Sequence, residues 1–266
     1  MEQVCLAGLP RSGSTLLCGL LAQNPKINVC EASTLLPLIK NIRKFWADSI
    51  GSKVIKKQEK LLPVLKAVFN SYHSNEYSIV VDKHRDWLFY LDLLEKITET
   101  PTKVLCTVRD PIECAASFNR LYENEPETYT QLEEIVEDKG FTTLNRAKSM
   151  LVYDGAIGKA YNAIKEAAII QKRKEQMLFI DYHKLCNNPS AELNRIYNFL
   201  NIDLYDKHYF DKVKNAEKQN DSHYRTFSNT HTIEEKVRKG KRDLGRLNSL
   251  TNEFDFDFDQ FWLQWI

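Results

Sequence analysis

The sequence predicts a single α/β domain, with a P-loop-like parallel central sheet flanked by helices, and three observations carry that expectation. Short β-rich apolar runs, "VCLAG" at 4–8, "SIVVD" at 78–82, "KVLCTV" at 103–108 and "MLFID" at 177–181, recur with longer helical patterns between them. Such alternation is the pattern of a parallel sheet with crossover helices. The loop "GLPRSGSTLL" leads from the first run into residues Leu16, Leu17, Leu20 and Leu21 at helical spacing, so a helix N-terminus points at the loop. Finally, 266 residues suffice for one sizeable core, and no repeat or low-complexity linker interrupts them. One domain over 1–266 is expected.

In chain order, the first strand ends at Gly8 and the loop hands over to the leucine-patterned helix. After "KVLCTV" comes "RDPIE", in which Asp110 is a good N-cap, Pro111 suits the first helical position and Glu113 takes the third, the place of a capping box. Arg109 therefore sits between a strand's carboxyl end and a helix, the edge where open α/β sheets collect their active sites. Residues 143–174 read as one long helix despite Gly155 and Gly158, and "NPSAELNRIYNFLN" at 188–201 reads as another, capped helix. Residues 211–246 are less regular and carry ten Lys or Arg against six Asp or Glu, which makes them the candidate for a mobile basic flap. The stretch 121–139 has seven acidic residues and one lysine, the composition of a solvated loop and helix face. The tail, 247–266, contains "EFDFDFDQFWLQWI", aromatic and acidic at strand period; an edge strand and a tail docked on its own core both fit.

Charge narrows the partners. With 37 basic and 36 acidic residues the formal net charge is +1, so nothing global points to nucleic acid or a membrane surface, and any anion site is local. There is no apolar run of about 18 residues and no basic N-terminal region leading into an apolar stretch. A cytoplasmic protein without membrane contact is expected. The cysteines at 5, 18, 30, 106, 114 and 186 show neither C-x-x-C spacing nor a histidine partner pattern. They read as buried thiols in a reducing compartment rather than a metal site or a redox pair.

The loop poses the chemical question. Gly8 and Gly13 keep the spacing of G-x-x-x-x-G-K-[ST], but Ser14 and Thr15 stand where Lys and Ser/Thr belong. An NTPase needs that lysine for the β and γ phosphates and the adjacent hydroxyl for Mg²⁺. Here Arg11 lies inside the loop instead. Its guanidinium can clamp an anionic oxygen through two donors, while the backbone amides of Ser12, Gly13, Ser14, Thr15 and Leu16 and the Ser14 and Thr15 hydroxyls complete a nest. The expected ligand is an anion held without magnesium. A sulfuryl group under transfer carries less negative charge than a γ-phosphoryl group, so fixed donors suffice for it.

"GLPRSGSTLL" resembles the 5′-phosphosulfate loop of the sulfotransferases, enzymes of P-loop-like α/β fold that use 3′-phosphoadenosine 5′-phosphosulfate (PAPS). "TVRDPIECAASFNR" at 107–120 is similar to the family's 3′-phosphate segment, and the resemblance implies Arg109 and Ser117, eight residues apart, as the ligands of that phosphate. "MLFIDYHKLCNNPSAELNRIYNFLNI" at 177–202 resembles the strand, Tyr-Glu-Asp-Leu turn, Pro and helix of the family; Tyr182 falls where its tyrosine meets adenine, with His183 and Lys184 in place of the acidic pair. "VRKGKRDLG" at 237–245 partly resembles the element that closes over the 3′-phosphate: Arg238, Lys239 and Gly240 agree, but the downstream Gly-Asp-Trp does not follow.

An acceptor that attacks sulfur must lose a proton, so a base is needed within hydrogen-bond reach. Glu31 resembles the glutamate that serves as base in tyrosylprotein and some carbohydrate sulfotransferases, whose loop also carries Arg. His84 is the rival, since an unperturbed histidine titrates at about 6.5. Lys83 resembles the tyrosylprotein enzymes' lysine that stabilises the transferring group, and with Arg11 it replaces the missing loop lysine. The expectation is metal-independent transfer from PAPS to a hydroxyl or amine of a small-molecule, glycan or peptide acceptor. A kinase-like phosphotransferase with a degenerate Walker A loop and a non-catalytic PAPS-binding regulator are the alternatives. Acceptor identity and oligomeric state stay open.

Overall fold

The four apolar runs form strands and one further strand joins them. The computed structural model describes residues 2–51, 57–73, 76–130, 140–217, 221, 227–228, 230–253 and 258–266. Its strands are β1 (Glu2–Gly8), β2 (Ile27–Cys30), β3 (Ile79–Lys83), β4 (Lys103–Val108) and β5 (Met177–Asp181), all parallel, in the order β2-β3-β1-β4-β5. The added strand, β2, is four residues long, too short for its alternation to stand out in the sequence.

Both faces of the sheet are buried, as parallel strands require. Along β1, Cys5 and Ala7 join one apolar core and Val4 and Leu6 the other; along β4, Val104, Cys106 and Val108 oppose Leu105. That two-residue alternation of side chains divides the helices into two layers. The first core packs α2 (Leu35–Asp48), α3 (Leu61–Tyr72), α4 (Leu91–Thr98), α5 (Pro111–Asn124), α6 (Thr143–Leu151) and α7 (Ala156–Lys165). Helices α1 (Ser14–Leu21) and α9 (Pro189–Leu200) cover the second, and the short α8 (Tyr182–Asn187) caps the end of β5. The result is a single α/β domain. The chain leaves β1 toward β2 and leaves β4 toward β5, so a crevice opens between β1 and β4 at their carboxyl ends.

The structure corrects the long helix expected over 143–174. It breaks between α6 and α7, and a π-helical turn at Glu166–Ile170 ends the second segment. A Cβ at Gly155 would lie 2.3 Å from Ser149 O, so glycine there lets the chain fold back tightly onto α6. The tail docks on the core: Phe261–Trp265 is a 3₁₀ turn, Trp262 is fully buried and the Tyr161 ring meets Phe258, Phe261 and Trp262 edge-on. Residues 254–257 and 131–139, parts of the tail and of the acidic stretch, lie outside the described residues. All six cysteines are buried and unbridged. Among the described residues no helix is long and apolar enough to cross a membrane.

Candidate active site

A cavity of about 1040 Å³ lies over the carboxyl ends of β1, β3 and β4. Its floor is the loop 9–13. Gly13, the N-cap of α1, has φ 90° and offers no side-chain cap to the first-turn N–H groups of α1, which open toward the cavity. A Cβ at Gly13 would also come within 2.8 Å of the Tyr182 ring. The buried Ser12 turns its hydroxyl away from the cavity and ties the loop to its neighbours, at 2.5 Å from Leu9 O and 2.7 Å from Thr107 Oγ1. Ser14, Thr15 and Leu16 line the cavity.

The two arginines sit close together with one buried carboxylate between the helices. Arg109, 5 % exposed, donates to Glu113 Oε1 at 3.1 Å and to Arg11 O at 3.3 Å, and its guanidinium stacks 4.2 Å from the Tyr182 ring centre. Among the described residues its buried Nε has no hydrogen-bond partner. Arg11 does not fold over its own loop: it reaches across to Ser117 Oγ at 3.2 Å and to the carbonyl of Thr230. Burial, then the like charge of Arg109, lowers the Arg11 pKa. An anion between them relieves that repulsion.

Glu113 differs from its expected role. It is no capping-box partner; it bridges Arg109 and His183 (2.8 Å) and accepts the backbone N–H of Asp243 at 3.1 Å. Burial pushes its pKa up, but His183, Arg109 and the Asp243 N–H outweigh that and hold it below its ordinary value. Asp110 alone caps α5, accepting Ile112 N at 2.8 Å.

At the opposite end of the cavity Lys83 Nζ donates to Thr15 Oγ1 at 3.1 Å and lies 3.8 Å from Glu31 Oε1. The parallel register sets Lys83 beside Leu6 of β1, which explains its proximity to the loop. Glu31 is gripped by a distant segment: Oε1 accepts Asn215 Nδ2 at 3.0 Å, and Oε2 accepts the N–H groups of Ala216 and Glu217 at 3.0 and 3.3 Å. His84 also lines the cavity, but its Nδ1 accepts Asp86 N at 3.2 Å. A neutral ring in that state carries its proton on Nε2 and has no second acceptor to offer. Burial, foremost, lowers its pKa and keeps it neutral.

The described part of 211–246 is a coil laid across the cavity and tied to the core. Val213 is buried, Val237 N donates to Phe210 O at 2.7 Å, and Arg242 and Arg120 pair with Asp110 and Asp243, each at 3.1 Å. Arg238, Lys239 and Gly240 line the cavity rim, Arg238 paired with Glu234 at 2.7 Å. Sequence reasoning missed Asn215, Asp221 and His231 of this coil, since no periodicity marks them.

It also missed a cluster of Cys30, His73 and Asp82, whose ligand atoms lie within 4.8 Å. His73 shows Nδ1 to Cys30 (3.7 Å) and Nε2 to Asp82 (3.5 Å), opposite edges of the ring, so it bridges the two rather than converging with both on one point. Asp82 is further held by Ser33 and Trp87 at 2.5 and 2.7 Å.

Comparison with known proteins gives this geometry its family. The sulfotransferase domain matches residues 1–264. A sulfotransferase domain from the curacin biosynthetic pathway superposes with a TM-score of 0.57 at 17% identity, covering 99% of this chain and 96% of that one. A mouse sulfotransferase complexed with PAP (adenosine 3′,5′-bisphosphate) superposes with a TM-score of 0.51 at 16% identity, covering 95% and 82%. With that match over nearly the whole sequence, on a five-stranded parallel sheet, this chain belongs to the sulfotransferase-domain family.

Proposed function

We propose that the protein transfers the sulfuryl group of PAPS to a hydroxyl or amine by in-line displacement, releasing PAP, without a metal ion and in the cytoplasm. The observation that carries this reading is the pairing of two guanidiniums, the buried Arg109 and the half-buried Arg11, beside the N-terminus of α1. Arg109, with its unpartnered Nε, and Ser117 hold the 3′-phosphate, and Tyr182, already stacked on Arg109, offers a face to the adenine. The amides of residues 12 to 16 and the Thr15 hydroxyl hold the 5′ end. Arg238, Lys239 and Gly240 close the rim as a flap.

PAPS supplies an activated sulfuryl group. What the chain adds is charge and proton transfer. Lys83 and Arg11 stabilise charge on the group in transit and on the leaving phosphate, where preorganised donors contribute about 3 to 4 kcal/mol each. Glu31, next to Lys83, takes the acceptor's proton, and the tautomer of His84 speaks against the rival base. A kinase-like mechanism fits less well, because Ser14 replaces the phosphate-binding lysine and Asp82, the strand-end carboxylate, is fully buried on Ser33 and Trp87.

Calorimetry tests the nucleotide. PAP is expected to bind at least tenfold more tightly than adenosine 5′-monophosphate, the scale of one charge-assisted contact. Equal affinities would remove the 3′-phosphate site.

A further inference from the structure

The cavity holds a histidine that the transfer mechanism above does not use. His231 Nδ1 lies 2.5 Å from Asp221 Oδ1, and the His231 backbone N–H donates to Asp221 Oδ2 at 3.0 Å. A single buried carboxylate thus fixes both ring and backbone. The residue lines the cavity beside Thr230, whose carbonyl accepts from Arg11. Its own carbonyl accepts Asn215 Nδ2 at 2.6 Å, the same amide that donates to Glu31. His231 is therefore anchored to the Arg11 side and the Glu31 side of the site at once.

An imidazole whose Nδ1–H points at a carboxylate acts through Nε2, and the carboxylate stabilises the ring's cationic form. Burial, foremost, lowers the His231 pKa; Asp221 opposes this, while Lys83 at the end of β3 and Arg11 in the loop add to it. An anion placed between Lys83 and Arg11 cancels their effect and leaves Asp221 dominant.

We propose that His231, oriented by Asp221, is a third cationic donor to the anionic 5′ end of the nucleotide, and that it takes up a proton when the nucleotide binds. The assignment rests on the reading of the cavity as the PAPS site. No bond other than N–H is made: the proton comes from solvent, settles on Nε2 and donates to a phosphate or sulfuryl oxygen. PAPS binding then strengthens as pH falls through the histidine range, until the nucleotide's own phosphate protonates.

Titration calorimetry of PAP at neutral pH, in buffers of different ionisation enthalpy, counts the protons. The parent is expected to take up more protons per nucleotide than His231→Asn, which still binds but roughly tenfold more weakly. Asp221→Asn is expected to reduce the uptake as well. In the parent itself, the imidazole NMR signal missing from His231→Asn should titrate about one unit higher with PAP bound. Equal proton counts in parent and variants, or a His231 signal unmoved by PAP, would overturn the assignment. A parent that binds no PAP would overturn the nucleotide reading first and this assignment with it.

Discussion

Glu31→Gln is expected to lower the transfer rate about 100-fold, the usual scale of general-base catalysis, while His84→Asn stays near the parental rate. The glutamine oxygen can keep the Ala216 and Glu217 N–H bonds, but its NH₂ then faces Asn215 Nδ2 and Lys83, two donors that the carboxylate satisfied. A loss of about 1 kcal/mol in folding stability is therefore expected alongside the rate effect. PAP affinity separates the two consequences: retained affinity with a 100-fold rate loss assigns the proton to Glu31. The reverse ranking of the two variants would assign it to His84 and leave Glu31 as the anchor of the 215–217 segment. The rates are to be measured with any acceptor that supports turnover.

Arg109→Ala is expected to weaken PAP binding by about 2 kcal/mol or more, because a charge-assisted contact is lost, which is roughly 30-fold in Kd. Adenosine 5′-monophosphate should lose far less, since it has no 3′-phosphate to contact. The substitution also removes the platform under Tyr182 and one of the two side chains that hold Glu113. Arg109→Lys controls for charge alone: a lysine cannot reproduce a guanidinium that stacks on a ring while donating to two acceptors. Affinity that falls equally for both nucleotides would place Arg109 outside the 3′-site.

Much of the scaffold was legible because it follows local rules. Strands buried on both faces write themselves as apolar runs, and β4 and β5 have the bounds that "KVLCTV" and "MLFID" suggest. The turn from β1 into α1 was equally legible, since Gly13 and the leucine stripe of α1 are local features. What failed was tertiary. Gly155 signals a fold-back only once α6 is in place beside it, and Glu113 was assigned to its own helix end although its partners His183 and Asp243 lie 70 and 130 residues away.

Arg11 illustrates the same limit within the site. Its position in the loop was readable, but its direction depends on Ser117 and Thr230, 106 and 219 residues distant. The coil over the cavity carries no period at all. Its grip on Glu31 and the pairing of His231 with Asp221 became visible only when the chain was folded.

The most direct measurement of the central claim is label transfer from PAPS. PAPS labelled on its sulfuryl group is incubated with the protein, EDTA and a panel of alcohols, phenols, amines, glycans and peptides, and the products are resolved by mass spectrometry. The account predicts a labelled product with PAP released in equal amount and no loss of activity in EDTA. PAP binding with no label transferred to any member of the panel would contradict it in favour of a non-catalytic nucleotide-binding protein. Transfer from the γ-phosphate of ATP that stops on adding EDTA would contradict it in favour of a kinase.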